Sequence, residues 1–152
     1  MSDSILEQIQ IDMTAAMKAR DADTLSTLRM LKSALMEVKT KKPKDASLGR
    51  DEEIEVLQRY AKKRRETIEE LRKAGRADLV AREEQEIAVT ARYLPAAMSE
   101  GDLRILVAEA IARLGAAGPR DTGKVIGDVL GKVKGSADGA TVSKLVREAL
   151  TG

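Results

Sequence analysis

The sequence predicts an all-α protein in two parts, a helical hairpin or bundle of about four helices followed by a small three-helix tail module. Three observations carry this expectation. Apolar residues recur at spacings of three and four almost throughout, which is the helical period. No segment shows the sustained alternation of a strand. The composition also changes at Pro95: nine of the eleven glycines lie beyond it, and charged residues fall from 37 in the first 95 positions to 15 in the last 57. A boundary at Pro95 to Ser99 divides the chain into an N-terminal helical domain, residues 1–95, and a C-terminal domain, residues 96–152.

The elements follow in order. Ser4 with Glu7 makes a capping-box pattern, and Ile5, Ile9, Met13, Ala16 and Met17 continue on one face. Asp21 to Asp23 is a break, with Asp23 expected to cap the second helix, whose stripe is Leu25, Leu28, Leu31, Leu35 and Val38. Lys39, Lys41 and Lys42 suit the negative end of that helix, and Pro43 discourages continuation, so residues 42–50 read as a loop. Asp51 is expected to cap a third, longer helix with a seam of Ile54, Leu57, Ala61, Arg64, Ile68 and Leu71, in which Arg64 is the one charged intruder. Gly75 ends it. A fourth helix starts near Asp78, carries Val80, Ile87, Ala91 and Leu94, and stops at Pro95.

In the C-terminal part, Ser99 and Asp102 resemble another cap, leading into Leu103, Leu106, Val107, Ala110, Ile111 and Leu114. Gly115 to Pro119 breaks the chain. Residues 121–133 form a short helix with Val125, Val129 and Val133 on one side. After a turn at Gly135 to Gly139, residues 141–150 make a last helix with Val142, Leu145, Val146 and Leu150 inward.

The composition limits the chemistry. The 152 residues contain no His, Cys, Trp or Phe, and the aromatics are Tyr60 and Tyr93. Absent thiols exclude disulfides, thiolate nucleophiles, cysteine-ligated zinc and iron–sulfur clusters within the chain. Absent imidazoles exclude serine–histidine and cysteine–histidine catalysis and the commonest transition-metal ligand. Stacking platforms for single-stranded nucleic acid lose their usual material. The 27 basic residues nearly balance the 25 acidic ones, and the balance holds in each part: 19 against 18 over residues 1–95, and 8 against 7 over 96–152. Neither part is broadly basic, so any nucleic-acid contact must be local. The polar opening Met-Ser-Asp-Ser-Ile-Leu-Glu does not read as a secretory signal, and no apolar run approaches the roughly 20 residues that span a bilayer. A cytoplasmic protein without membrane association, cofactor or metal is expected.

Several motifs invite sharper readings. Gly118 to Lys124 fits the phosphate-loop pattern GxxxxGK, but Val125 stands where the magnesium-binding Ser or Thr belongs, and a helix rather than a strand precedes the loop. A turn capped by Asp121 or Thr122 is the simpler reading. Glycine recurs every fourth residue at Gly123, Gly127, Gly131, Gly135 and Gly139. Each helical glycine costs about 1 kcal/mol against Ala, so something should offset it. Close packing of the last two helices is the favoured explanation for Gly123 and Gly127. Approach of a flat partner such as a nucleic-acid backbone is the other, and Gly135 and Gly139 read as turn residues.

Lys62, Lys63, Arg64 and Arg65 encircle a helix and can pair with Glu66, Glu69 and Glu70, so they read as a solvated face. Glu83, Glu84 and Glu86 read the same way, because a bundle metal site would need His partners. The less neutralised set Lys124, Lys132, Lys134, Lys144 and Arg147 is the candidate phosphate contact. The seam from Ile54 to Leu71 could pair within the chain or with another chain, including a second copy.

Tyr93-Leu94-Pro95, Gly123-Lys124-Val125-Ile126-Gly127 and the run Lys132 to Gly139 together resemble the YqeY-like (GatB/YqeY) protein family, as do the segments Leu28 to Leu35 and Arg76 to Val80. The resemblance covers essentially the whole chain. That family shares its helical region and tail with the B subunit of the tRNA-dependent amidotransferase, a carbon–nitrogen ligase with glutamine as amido-nitrogen donor, and a similar module precedes some glutaminyl-tRNA synthetases. The tail there is implicated in gripping tRNA. The resemblance therefore implies a helical module that binds tRNA, or an enzyme of tRNA aminoacylation or amidation, through residues 123–150. Gly123, Lys124, Val125, Gly127, Lys132, Lys134, Gly135 and Asp138 fall on the shared pattern, while Gly131 replaces a proline and Ser136 a lysine. It implies no catalysis by this chain alone, since the amidotransferase's ATP- and metal-binding half has no counterpart in 152 helical residues. A protein-interaction adaptor without an RNA role is the alternative expectation, and independent amidotransferase activity the last.

Overall fold

The computed structural model describes residues 4–151, so the first three residues of the polar N-terminal segment lie outside the described residues. The protein is all-α, with no strand among the described residues. Its helices are α1 (Ile5–Lys18), α2 (Ala22–Thr40), α3 (Arg50–Lys73), α4 (Val80–Ala91), α5 (Glu100–Leu114), α6 (Thr122–Lys132) and α7 (Gly139–Thr151), with short 3-10 turns at Ala77–Leu79 and Pro119–Asp121. The chain divides into two compact units, Met1–Leu94 and Pro95–Gly152. No helix among the described residues is long and apolar enough to cross a membrane.

In the first unit α1 packs on α2, α3 on α4, and α2 touches both α3 and α4. The stripes meet in one core: Ile5 and Ile9 from α1, Leu28, Leu31 and Leu35 from α2, Ile54, Val56 and Leu57 from α3, and Val89 and Tyr93 from the end of α4. Ile9, Leu28, Leu31, Leu35 and Leu57 are fully excluded from water, each burial contributing about 1.5–3 kcal/mol before entropy is counted. The Tyr93 hydroxyl donates to Asp12 on α1. Burial first, then that bond, push the phenol's pKa upward. Of the α3 seam, Ile54, Leu57, Ala61 and Ile68 are buried within the chain.

Three helix starts differ from the sequence expectation. Asp21, not Asp23, caps α2, accepting the Thr24 amide at 3.2 Å. Arg20 takes a left-handed conformation (φ 57°), and this brings Asp21 into the capping position two residues early. Asp51 lies in the first turn of α3, whose N-cap is Gly49. There Glu52 reaches back to accept the Gly49 amide at 3.0 Å, and Lys42 also holds its carboxylate. The last helix begins at Gly139, two residues early, because Asp138 accepts the Thr141 amide at 2.7 Å. Ser4 and Ser99 do cap, accepting the amides of Glu7 at 3.3 Å and Asp102 at 3.1 Å.

The second unit has its own core of Leu103, Val107 and Ala110 from α5, Val125, Val129 and Val133 from α6 and the residue after it, and Val142, Leu145 and Val146 from α7. Gly115 closes α5 at φ 65°, a conformation that costs most side chains about 1–2 kcal/mol.

Candidate nucleic-acid interface

The second unit builds its candidate surface on α6. Two residues advance a helix by about 200°, so the valine series 125, 129, 133 and the glycine series 123, 127, 131 lie on opposite sides. The valines are buried, which turns the glycines outward. A methyl group added at Gly123, Gly127 or Gly131 would meet nothing within 4 Å beyond the helix's own backbone. The packing expected for Gly123 and Gly127 is therefore absent: the small residues leave bare helix backbone at an exposed face. Gly139 is likewise open and begins α7, while Gly135 makes the turn before it at φ 81°.

Charged residues flank this face. Lys124 lies in the first turn of α6, exposed, on the glycine side. Lys132, the last residue of α6, stands 3.8 Å from Asp128. That carboxylate is already held by Arg113 of α5 through two hydrogen bonds of 3.0 and 2.6 Å, so the trio keeps one excess positive charge. The Arg113 bond, the largest cause, holds Asp128 below the usual carboxylate range. Lys134 is exposed in the turn beyond α6. Lys144 and Arg147 are exposed one turn apart on α7, and Glu148 beside them is drawn toward Arg104 at 3.4 Å. The described side chains place no acidic partner at salt-bridge distance from Lys124, Lys144 or Arg147.

The phosphate-loop pattern forms a different object. Gly118 is extended, Pro119–Asp121 is a 3-10 turn, and the Thr122 hydroxyl donates to the Pro119 carbonyl at 2.7 Å. Asp121 accepts the Ala117 amide at 3.1 Å, so a carboxylate takes one of the loop's amides and adds negative charge there. Neither side chain caps α6 itself.

In the first unit the carboxylates of α4 are not a uniformly solvated face. Glu84 is exposed near Arg72 at 3.5 Å. Glu83 and Glu86 instead turn inward onto Arg64, the intruder in the α3 seam, at 3.5 and 3.6 Å. Their spacing of three places both on one side of α4, opposite a charge that an apolar seam could not otherwise hold. The Arg64 guanidinium also lies 5.0 Å from the Tyr60 ring centre. Burial pushes the Glu83 carboxyl above its usual range, Arg64 opposes the shift, and Glu86 adds to it. No group of three or more carboxylates gathers as a metal site among the described residues.

One finding had no reading in the sequence, and a second, the α3–α4 cluster, was read there as solvated faces. Glu53, buried, accepts the Ser4 hydroxyl at 3.2 Å and the amides of Ile5 and Leu6 at 3.1 and 2.7 Å, capping α1 from α3. Arg64, at a seam position, was the one visible signal of the α3–α4 polar cluster.

Comparison with known proteins covers nearly all of this architecture. The family model described as YqeY-like protein matches residues 6–150. A protein of Pyrenophora tritici-repentis named altered inheritance of mitochondria protein 41, mitochondrial, is 32% identical over 151 residues, spanning 95% of this chain and 80% of that protein. An uncharacterized protein of Schizosaccharomyces pombe is 38% identical over 80 residues, 53% of this chain and 63% of its own length.

Proposed function

The chain belongs to the YqeY-like protein family, and from that premise we propose that its second unit binds tRNA through phosphate-backbone and shape contacts. The observation that carries the reading is the open glycine face of α6. Three exposed helical glycines cost stability with no packing to offset them, and they leave backbone that a ribose-phosphate chain can approach closely. Lys124 on that side, with Lys132, Lys134, Lys144 and Arg147 on the same unit, supplies the positive charge. Gly135 and Asp138 shape the turn that presents Lys134 and starts α7. Contacts of this kind do not need the stacking aromatics that the chain lacks.

The role is one of binding, with no chemical step assigned to these residues. An enzyme of tRNA aminoacylation or amidation would be reached through the same RNA. The experiment is a tRNA titration with the intact chain at two salt concentrations, repeated with Lys132 and Lys134 changed to Glu. Binding that weakens at higher salt, and further in the double variant with helicity unchanged, supports the reading. Absence of binding at low salt overturns it, and a stoichiometric protein partner captured without RNA would favour an adaptor instead.

A further inference from the structure

The α3–α4 polar cluster is more than a salt bridge, because its charges do not balance. Glu83 and Glu86 are ionisable acceptors facing one guanidinium, with side-chain exposures of 18%, 11% and 21% for Glu83, Glu86 and Arg64. With both carboxylates ionised the part-buried set carries one uncompensated negative charge, which is costly away from water. The hydrogen bonding is also incomplete. The Tyr60 hydroxyl, the Arg64 Nε and the Glu83 Oε2 are all buried without a hydrogen-bond partner among the described residues. The two Arg64–carboxylate separations, 3.5 and 3.6 Å, are long for charge-assisted bonds. One added proton removes the charge fault: a protonated carboxyl is neutral, and its hydroxyl can donate to the neighbouring Glu86 carboxylate.

We infer that Tyr60, Arg64, Glu83 and Glu86 form a proton-operated clasp between α3 and α4, which tightens when Glu83 takes up a proton and loosens when it releases one. The groups facing Glu83 are Arg64 and Tyr60 from α3, and Glu86 and Arg82 from α4 itself. Packed against α4 from α2 is a neutral contact, Thr27 donating to Gln85 at 3.3 Å. In the turn before α4, Arg76 and Asp78 pair with each other. Arg64 is therefore the part-buried cation facing both carboxylates, while Arg82 is exposed on α4 itself.

The sign follows from burial, the largest cause acting on Glu83, which raises its folded-state pKa above the unfolded value. The proton-linked stability is fully present below the unfolded value and is lost as pH rises through the folded one. The clasp is tighter in mild acid and looser toward neutrality.

The test is a carboxyl carbon NMR titration of Glu83 in the intact chain, with amide hydrogen exchange along α4 followed over the same pH range. Glu83 should titrate above the ordinary value of 4.5. Opening of α4, corrected for intrinsic exchange and referenced to α5, should become rarer as pH falls, by up to about tenfold per pH unit for one linked proton. Glu83→Gln should flatten that profile, and Glu84→Gln, at the exposed neighbour, should leave it intact. A Glu83 midpoint at or below 4.5 overturns the clasp, as does an unchanged α4 profile in Glu83→Gln. The wild-type titration decides the question even if that variant does not fold.

Discussion

The carboxylate of Glu53 on α3 accepts the backbone amide of Leu6 at 2.7 Å, 47 residues earlier in the chain. The same side chain takes the Ile5 amide and the Ser4 hydroxyl, so the N-terminus of α1 is closed by another helix as well as by its own cap. A buried carboxylate at the positive end of a helix satisfies orphan amides and complements the dipole together. Glu53→Ala strands those amides beside an apolar core and should cost about 3 kcal/mol. Glu53→Gln keeps an acceptor but loses the charge, for about 1 kcal/mol. Chemical denaturation of the two variants checks the ranking, with lost amide protection expected in α1. Equal stability of wild type and Glu53→Ala would refute the capping role.

The second unit has a pair with the opposite pH behaviour from the α3–α4 cluster. Arg113 grips Asp128 with both terminal nitrogens and holds its carboxyl below the ordinary range. A lowered folded-state pKa means stability present above the unfolded value and lost as pH falls through the folded one. Asp128→Asn should therefore weaken the α5–α6 contact at neutral pH and reduce the loss of stability below about pH 4. Asp21 and Glu52 are lowered too, each chiefly by a side-chain hydrogen bond, so an acid limb remains. Thermal unfolding at pH 7 and pH 3 provides the comparison.

The fold was legible where one helix's own pattern decided the outcome. Leu28, Leu31 and Leu35 are buried because their spacing places them on one face, whatever partner covers it. Caps were less legible, since Asp21 and Asp23 are equally good acceptors and the left-handed turn at Arg20 chooses between them. Glu53 was hidden for a stronger reason: an acidic first turn already suits its own helix, and nothing local shows that it serves α1. The inward turn of Glu83 and Glu86 likewise depends on which face of α4 meets Arg64. The glycine face is a different case: packing was the favoured reading for Gly123 and Gly127, and the inward valines at 125, 129 and 133 were the signal against it.

If phosphates are the ligand, the exposed cations should differ in salt response rather than in base preference. Lys124→Glu and Lys144→Glu should each weaken tRNA binding, and each lost phosphate contact should reduce the slope of log affinity against log salt by about 1. Discrimination among tRNA sequences should change little, because backbone contacts carry no sequence information. A Lys124→Glu variant with an unchanged slope would place the contact elsewhere on the unit.

The glycine face yields a prediction in which stability and binding move in opposite directions. Gly127 and Gly131 are exposed within α6, and an added methyl group at either meets open space. Neither has a backbone conformation that resists a side chain, so Gly127→Ala should stabilise the free protein by up to about 1 kcal/mol through helix propensity. Gly131→Ala, one residue from the helix end, should gain less. A methyl group on a surface used for close backbone approach holds the ligand off, so both variants should bind tRNA more weakly while melting higher. Gly127→Leu should extend the loss of binding with little loss of fold. A purely structural glycine would show the reverse, falling stability with unaltered binding, and stabilised variants that bind as tightly as wild type would remove α6 from the interface. Melting curves and salt-controlled titrations on the same three preparations separate these outcomes.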